Sequence, residues 1–345
     1  MLEWPRPRRR TSGDQMQPSQ RSTLISGVAA GVAYGAITWI AFGAAKSLPS
    51  MAFLVLVPAA MGATPLLFGD QAQVRWYARV LLIPWFTAFG FCVVLIAVFK
   101  EGGACLLVLA FPMIGFAMAG AFVVWLIGAL RLKAKARAAT AAALLLLPFL
   151  VLPVERIWFM PAEAGETLSS VVIEAPAGFV FDHLAAVPTI TDLEYRPGLF
   201  NRLGVPRPVR ATIDRAALGG KRVGEFEHGL RFDEEITRFD VPSLLSFSIA
   251  VDPARLRAGS AERHAFEAGY FRFVDATYRL EALGPVRTRL LLSSRYVLQS
   301  GWNSYGRFWA AALVGDFQDR VLAVIKQRSE PAVGNAVDTR TAIAP

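Results

Sequence analysis

Charge is missing from long stretches of this 345-residue sequence: no Asp, Glu, Lys, Arg or His occurs in residues 24–45, 48–68, 80–99 or 103–130. Transport and proton relays generally need an ionisable group inside the membrane. Its absence from four apolar stretches argues against a pump or channel and for an anchor. Cysteine is almost absent too. Cys92 and Cys105 both lie within or beside those stretches, so the second half has neither a disulfide framework nor a Cys-rich zinc site. The three histidines, His183, His228 and His264, fall in separate elements without the short spacings of a metal site. No metal and no cofactor are expected. Ser169-Ser170 and Ser293-Ser294 lack a G-x-S-x-G context. Gly219-Gly220-Lys221-Arg222 lacks the preceding glycine and following helix of a phosphate loop.

What the chain has instead is apolar length. Its 54% hydrophobic content exceeds the roughly 45–50% usual for globular chains, and the excess lies before Pro153. Crossing a membrane takes about 20 apolar residues. Residues 24–45, 48–68, 80–99 and 103–130 meet this, and 138–154, shorter and carrying Pro148 and Pro153, makes a fifth span. The first is too long for a signal peptide and reads as an anchor. The expected domains are a basic arm (1–23), a transmembrane helical bundle of about five spans (24–160), a second domain (161–330) and a disordered tail (331–345).

Up to Val154 there are 13 Lys and Arg against 4 Asp and Glu, and beyond it 23 against 23, so the whole excess of +9 belongs to the membrane half. Basic residues flanking apolar spans orient a protein in the bilayer, and nucleic-acid binding is not expected. Arg6, Arg8, Arg9, Arg10 and Arg21 precede the first span, Arg75 and Arg79 the third, and Arg131, Lys133, Lys135 and Arg137 the fifth. The amino terminus is therefore expected in the cytoplasm. Five spans put the second domain outside; if the fifth segment only lies on the surface, the domain is cytoplasmic. Gly27, Gly31 and Gly35 share one helical face, suited to close helix packing within the chain or to a homo-oligomer. Gly115, Ala117, Ala119 and Ala121 suggest a second small-residue face.

After Pro161 the periodicity changes. Strands are predicted at 168–174, 209–216, 222–227, 230–239, 244–251, 270–283 and 287–298, with turns at Gly219-Gly220, His228-Gly229 and Gly284-Pro285. A short helix over 176–186 follows the first strand. A long one over 305–328 repeats Trp309, Leu313, Phe317, Val321, Val324 and Ile325 at helical spacing. Residues 252–267 form a charged insertion, either a lid or a solvated excursion.

This order resembles the START-related, polyketide-cyclase-like superfamily with its helix-grip fold. The resemblance is carried by Val172-Ile173-Glu174-Ala175-Pro176-Ala177 with Val180-Phe181-Asp182-His183-Leu184, and by Val223-Gly224-Glu225-Phe226, Gly229 and Glu234-Glu235-Ile236-Thr237. Arg289-Leu290, Tyr296, Trp309, Asp316, Val321-Leu322 and Ile325-Lys326-Gln327-Arg328 complete it. It covers residues 168–330 and looks most like membrane-tethered bacterial members, which implies the bacterial inner membrane. It also implies an α+β domain whose antiparallel sheet wraps round the long carboxy-terminal helix, leaving a cavity for a hydrophobic small molecule or lipid.

Strand alternation then supplies a candidate lining: Phe232, Glu234 and Ile236 on one strand, and Leu290, Leu292, Ser294 and Tyr296 on another. Trp309, Leu313 and Phe317 face them from the helix. Glu234, among apolar neighbours, is expected to point inward and to need a partner. It is either an ion pair with Arg295 or Arg238, a ligand contact, or, together with Tyr296, an acid–base group of a cyclase or dehydratase. Ligand binding without catalysis, such catalysis, and a role in membrane assembly are the three functions the sequence allows.

Overall fold

The computed structural model describes residues 18–67, 75–129, 134–158, 161–256, 263 and 266–330. The basic arm up to residue 17, the tail after residue 330, His264 and most of the charged insertion lie outside them.

The apolar half folds into α1 (Pro18–Ala44), α2 (Ala52–Leu67), α3 (Ala78–Ala97), α4 (Gly103–Ala129) and α5 (Ala134–Trp158). Among the described residues, four of these are long and apolar enough to cross a membrane, which corrects the sequence-based five. The exception is α2. The chain turns at Lys46, whose φ is +52°, and resumes as helix only at Ala52. Its 16 residues measure about 24 Å, short of a hydrocarbon core of about 30 Å. In contrast, α5 runs unbroken through Pro148 and Pro153, and its apolar part covers Ala139–Ile157.

Small residues set the packing. A Cβ on Gly27 would strike Pro65, one on Gly31 would strike Met61 and Thr87, and one on Gly35 would strike Met61 and Phe91. That glycine face is thus packed against α2 and α3 of the same chain. The pairings also give direction: α1 is antiparallel to α2 and parallel to α3. Tyr34 to Leu145, Phe42 to Phe149 and Ala45 to Arg156 make α5 parallel to α1 as well. The tightest approach is between α2 and α4, where a Cβ on Gly62 would lie 2.6 Å from Ala117 Cα and one on Gly120 would lie 2.7 Å from Ala59 Cα.

Only three residues separate Trp158 from β1 (Ala162–Ile173). There follow α6 (Ala177–Asp182), α7 (Leu199–Arg202), β2 (Pro208–Ile213), β3 (Lys221–Phe226), β4 (Arg231–Asp240), β5 (Leu244–Val251), β6 (Phe271–Gly284), β7 (Arg287–Gln299) and the closing helix α8 (Asn303–Ser329). All seven strands form one antiparallel sheet in the order β1-β7-β6-β5-β4-β3-β2. Register shifts at Pro208/Arg210, Ile236/Arg238, Phe273/Asp275 and Ala282/Gly284 interrupt the ladders. Such irregularities bend strands and increase their twist. The 27 residues of α8, about 40 Å of helix, pack on β1 and β7. This fits the helix-grip arrangement. Strand β1 begins six residues before the sequence suggested, because Ala162-Glu163-Ala164-Gly165-Glu166 alternates in exposure without large apolar side chains.

The domain is seated directly on the bundle. Glu155, buried near the end of α5, accepts hydrogen bonds from the backbone N–H of Met51 (2.6 Å) and Ala52 (2.8 Å) at the start of α2. A carboxylate there satisfies orphan donors and the positive end of the helix dipole. Arg156 donates to the Ala45 carbonyl and the Ser47 hydroxyl. Gly301, in the turn between β7 and α8, rests on this clasp: a Cβ there would meet Glu155 Oε1 at 2.7 Å and Met51 Cγ at 2.8 Å. Tyr305 donates to the Val108 carbonyl of α4, and Trp302 packs against Phe116. The described end of the charged insertion lies against the bundle, with Glu267 3.8 Å from Lys46.

Candidate functional site

The inner face of the sheet and α8 line an open-mouthed cavity of about 80 Å³. Strands β2 to β7 supply most of its wall, α8 contributes Val314, Phe317 and Val321, and Val187 and Ile190 close one side. A water occupies about 30 Å³ of liquid, and an apolar cavity of about 150 Å³ admits benzene. The cavity is therefore smaller than a six-membered ring needs. Aromatic side chains take up the remaining space. Phe226 lies 4.5 Å from Phe232 and 5.8 Å from Phe317, centroid to centroid, and Phe232 lies 5.5 Å from Phe273.

Five of the residues proposed from strand alternation line this cavity: Phe232, Glu234, Leu292, Ser294 and Phe317. Five do not. Ile236 and Leu290 belong to the solid core beyond it, packed with Leu245 and Leu322. Trp309 contacts Tyr305 and Phe308 at the bundle end of α8, and Leu313 is half-buried outside the lining. Tyr296 is fully buried against Phe271 and Gly165, where a Cβ would stand 2.7 Å from Tyr296 Cζ. Glu234 and Tyr296 are thus not brought together as an acid–base pair. The tyrosine that does line the cavity is Tyr278, whose hydroxyl burial pushes up to about 12.

The partner of Glu234 also differs from the sequence-based choice. Arg295 pairs with Asp275 (Nε to Oδ1, 2.9 Å) and Arg238 with Asp240 (3.5 Å). Glu234 Oε2 instead accepts from Arg222 Nη1, its cross-strand neighbour on β3. Both side chains are buried, with 5% and 7% of their surfaces exposed. Arg222 also donates through Nε to the Ala185 carbonyl at 3.1 Å and lies over the Phe247 ring at 4.8 Å. Burial raises the Glu234 carboxyl above the ordinary carboxylate range, and the attraction of Arg222 offsets this only in part. Arg210 and Glu225 at the rim form a second pair (2.8 and 3.1 Å). Among the described residues, no group of His, Cys, Asp and Glu is arranged to hold a metal ion.

A strap between α6 and α7 covers one flank of the cavity. It pairs with the edge of β2 through Val187 and Ala211 (2.9 and 2.8 Å) and through Ile190 N–H to the Val209 carbonyl (2.8 Å). Arg328, at the end of α8, pins it from the other side. It holds Glu194 with two hydrogen bonds (2.7 and 3.1 Å) and donates to the Pro188 and Thr189 carbonyls (3.1 Å each). Chiefly through Arg328, the Glu194 carboxyl is lowered from 4.5 to about 2. A depressed carboxyl pKa contributes stability that is complete above 4.5 and is lost as pH falls toward the folded value near 2. Arg328→Ala should therefore lower stability by about 2 kcal/mol at neutral pH. Thermal denaturation of parent and variant across pH should show the gap holding above 4.5 and closing below it. A gap that widens on acidification would contradict this role for Glu194.

No family model matches the chain, and no curated protein matches it. Among solved structures it is similar to the Zhui aromatase/cyclase from Streptomyces sp. R1128, at 15% identity and a TM-score of 0.33, covering 50% of this chain and 99% of that one. It is also similar to truncated norcoclaurine synthase from Thalictrum flavum (12%, TM-score 0.32, 49% of this chain and 96% of that chain). A third likeness is to ginseng major latex-like protein 151 from Panax ginseng (14%, TM-score 0.31, 49% and 99%). Likeness at this level carries no ligand or activity across, and the site is read from its own geometry.

Proposed function

We propose that this protein is a membrane-anchored binding module that takes an apolar small molecule or lipid segment into the cavity between its curved sheet and α8. The supporting observation is a largely apolar pocket with a few convergent polar groups, the usual make-up of a small-molecule site. Binding requires Phe226, Phe232 and Phe317 to part, because the cavity of about 80 Å³ is too small as it stands. Phe226 is suited to such movement: it is half-buried and directly precedes the 3-10 turn Glu227–Gly229, in which His228 has a φ of +59°. The particular acid–base pair of Glu234 with Tyr296 is not assembled, since Glu234 is held by Arg222 and Tyr296 lies outside the lining.

Native mass spectrometry of the full chain released from detergent tests this reading. A bound apolar molecule should appear on the parent chain and disappear from Val321→Trp, which fills the cavity while leaving the bundle intact. Bundle-associated lipid would persist in both. Equal adducts, or none on either, would refute cavity binding.

The same reading places the domain outside the cytoplasm. Its support is α1 alone. This helix follows the arginine-rich arm and ends beside the domain, where Lys46 faces Glu267. With the basic end kept inside, the opposite end carries the domain out, whether or not α2 crosses. A carboxy-terminal reporter active only outside the cytoplasm should be active, and its cytoplasmic counterpart silent. The reverse pattern would overturn the assignment.

A further inference from the structure

Every charge on the cavity wall is already matched. Arg222 with Glu234 and Arg210 with Glu225 account for all four charged lining residues. A ligand bearing a net charge would have to be desolvated with no counter-ion left to receive it, which is costly. Tyr278, the remaining ionisable lining residue, is neutral at physiological pH.

Two hydroxyls line the cavity, those of Tyr278 and Ser294, and the second is made a donor by its neighbour. Gln318 of α8 is fully buried and commits its two amide N–H groups, one to the Thr167 carbonyl (3.1 Å) and one to the Ser294 hydroxyl oxygen (2.9 Å). The Thr167 carbonyl accepts only, so the Gln318 amide nitrogen must face it, and Ser294 is thereby made the acceptor. A hydroxyl that accepts still has its own proton to donate. Among the described residues no hydrogen bond uses that proton, although Ser294 is only 5% exposed and lines the cavity. Buried hydroxyl protons are usually paired, and leaving one without an acceptor costs about 1–3 kcal/mol.

We propose that the cavity selects an uncharged ligand carrying a hydrogen-bond acceptor, such as a ketone or amide carbonyl, which is bound by the Ser294 hydroxyl. This deepens the cavity-binding reading and rests on it. Gln318 is the positioning residue: it turns Ser294 from an ambivalent hydroxyl into a donor.

Three probes of similar size separate the alternatives: acetophenone, ethylbenzene and benzoate. Each is titrated into the full chain in detergent by ligand-observed NMR, with Val321→Trp as the blank for micelle partitioning. Acetophenone should bind about tenfold more tightly than ethylbenzene, the effect of one buried hydrogen bond, and benzoate more weakly than either. Ser294→Ala should bring acetophenone to within about twofold of ethylbenzene without weakening ethylbenzene. The double variant Ser294→Ala/Gln318→Leu, which leaves no amide N–H unpaired, should behave alike and guards against misfolding of the single one. Equal affinities in the parent, benzoate binding most tightly, or a ketone preference that survives both variants would each overturn the inference while leaving cavity binding in place. Failure of all three probes to bind would overturn cavity binding and the inference with it.

Discussion

Glu234→Ala should be the most damaging single change in the carboxy-terminal domain, and more damaging than removing its partner. The variant leaves the Arg222 guanidinium buried and unmatched. Arginine cannot shed its proton, so the expected cost is about 3–5 kcal/mol, roughly 10 °C in apparent Tm for a domain of this size. Arg222→Met strands Glu234 instead. A carboxyl can escape by taking up a proton, and burial already raises its pKa. Without arginine that pKa rises further. The folded state then holds the proton more firmly than the unfolded chain, so stability falls as pH rises from the ordinary carboxylate range toward the raised value. Arg222→Met should therefore be mild at pH 5 and worse at pH 8, whereas Glu234→Ala should be severe at both. The double variant Arg222→Met/Glu234→Leu should recover most of the loss, because well-packed apolar groups often replace a buried pair at little cost. It should stay about 1–2 kcal/mol short, since the Ala185 carbonyl loses its donor. Thermal denaturation of the full chain in detergent at the two pH values reads all three. Equal losses for the two single variants would show that the pair is not the controlling interaction.

Gly62→Ala should unseat the bundle. The added methyl carbon would lie 2.6 Å from Ala117 Cα, and its other near neighbours are also backbone atoms, which cannot swing aside as a side chain can. Helices in lipid associate through close backbone approach at small residues, so α2 and α4 must separate or tilt. The expected loss is about 3 kcal/mol or more, seen as a fall in Tm and in the monodisperse fraction on size exclusion. Gly115→Ala is the internal control. It sits on the partner helix α4 with nothing within 4 Å of its Cβ position and should behave like the parent. If both changes are harmless, the α2–α4 contact does not hold the bundle together.

The strands and the closing helix were readable because the turns are punctuated by Gly and Pro and α8 keeps its apolar spacing. The Arg222–Glu234 pair was readable too. A hairpin centred on His228 pairs residues whose numbers are symmetric about it, which sets 222 opposite 234. Pairing along the strand ladder, instead of looking to distant arginines, finds it. The lining was half legible. Alternation tells which face of a strand points inward, but not where along that face the curved sheet stops enclosing space. Ile236 and Leu290 share the inward side with Glu234 and Leu292 yet fall in the solid part of the core. The bundle was less legible in its contacts. Helix α4 is apolar all round, so no periodic stripe marks its buried side, and the face through Met113, Ala117, Gly120 and Ala121 had no signal separating it from Gly115. The shortness of α2 followed from the turn at Lys46, a conformation that composition does not announce.

The three residues between Trp158 and Ala162 have a mechanical consequence. Fully stretched, they span at most about 14 Å, while the turn at Gly301 and Tyr305 hold the domain to the bundle at two further points. A shuttle that ferries cargo between facing membranes needs slack of many tens of ångströms, and this connection has none. On the membrane-anchored binding reading proposed above, a ligand would be exchanged at the surface of a single bilayer, as at a fixed mooring.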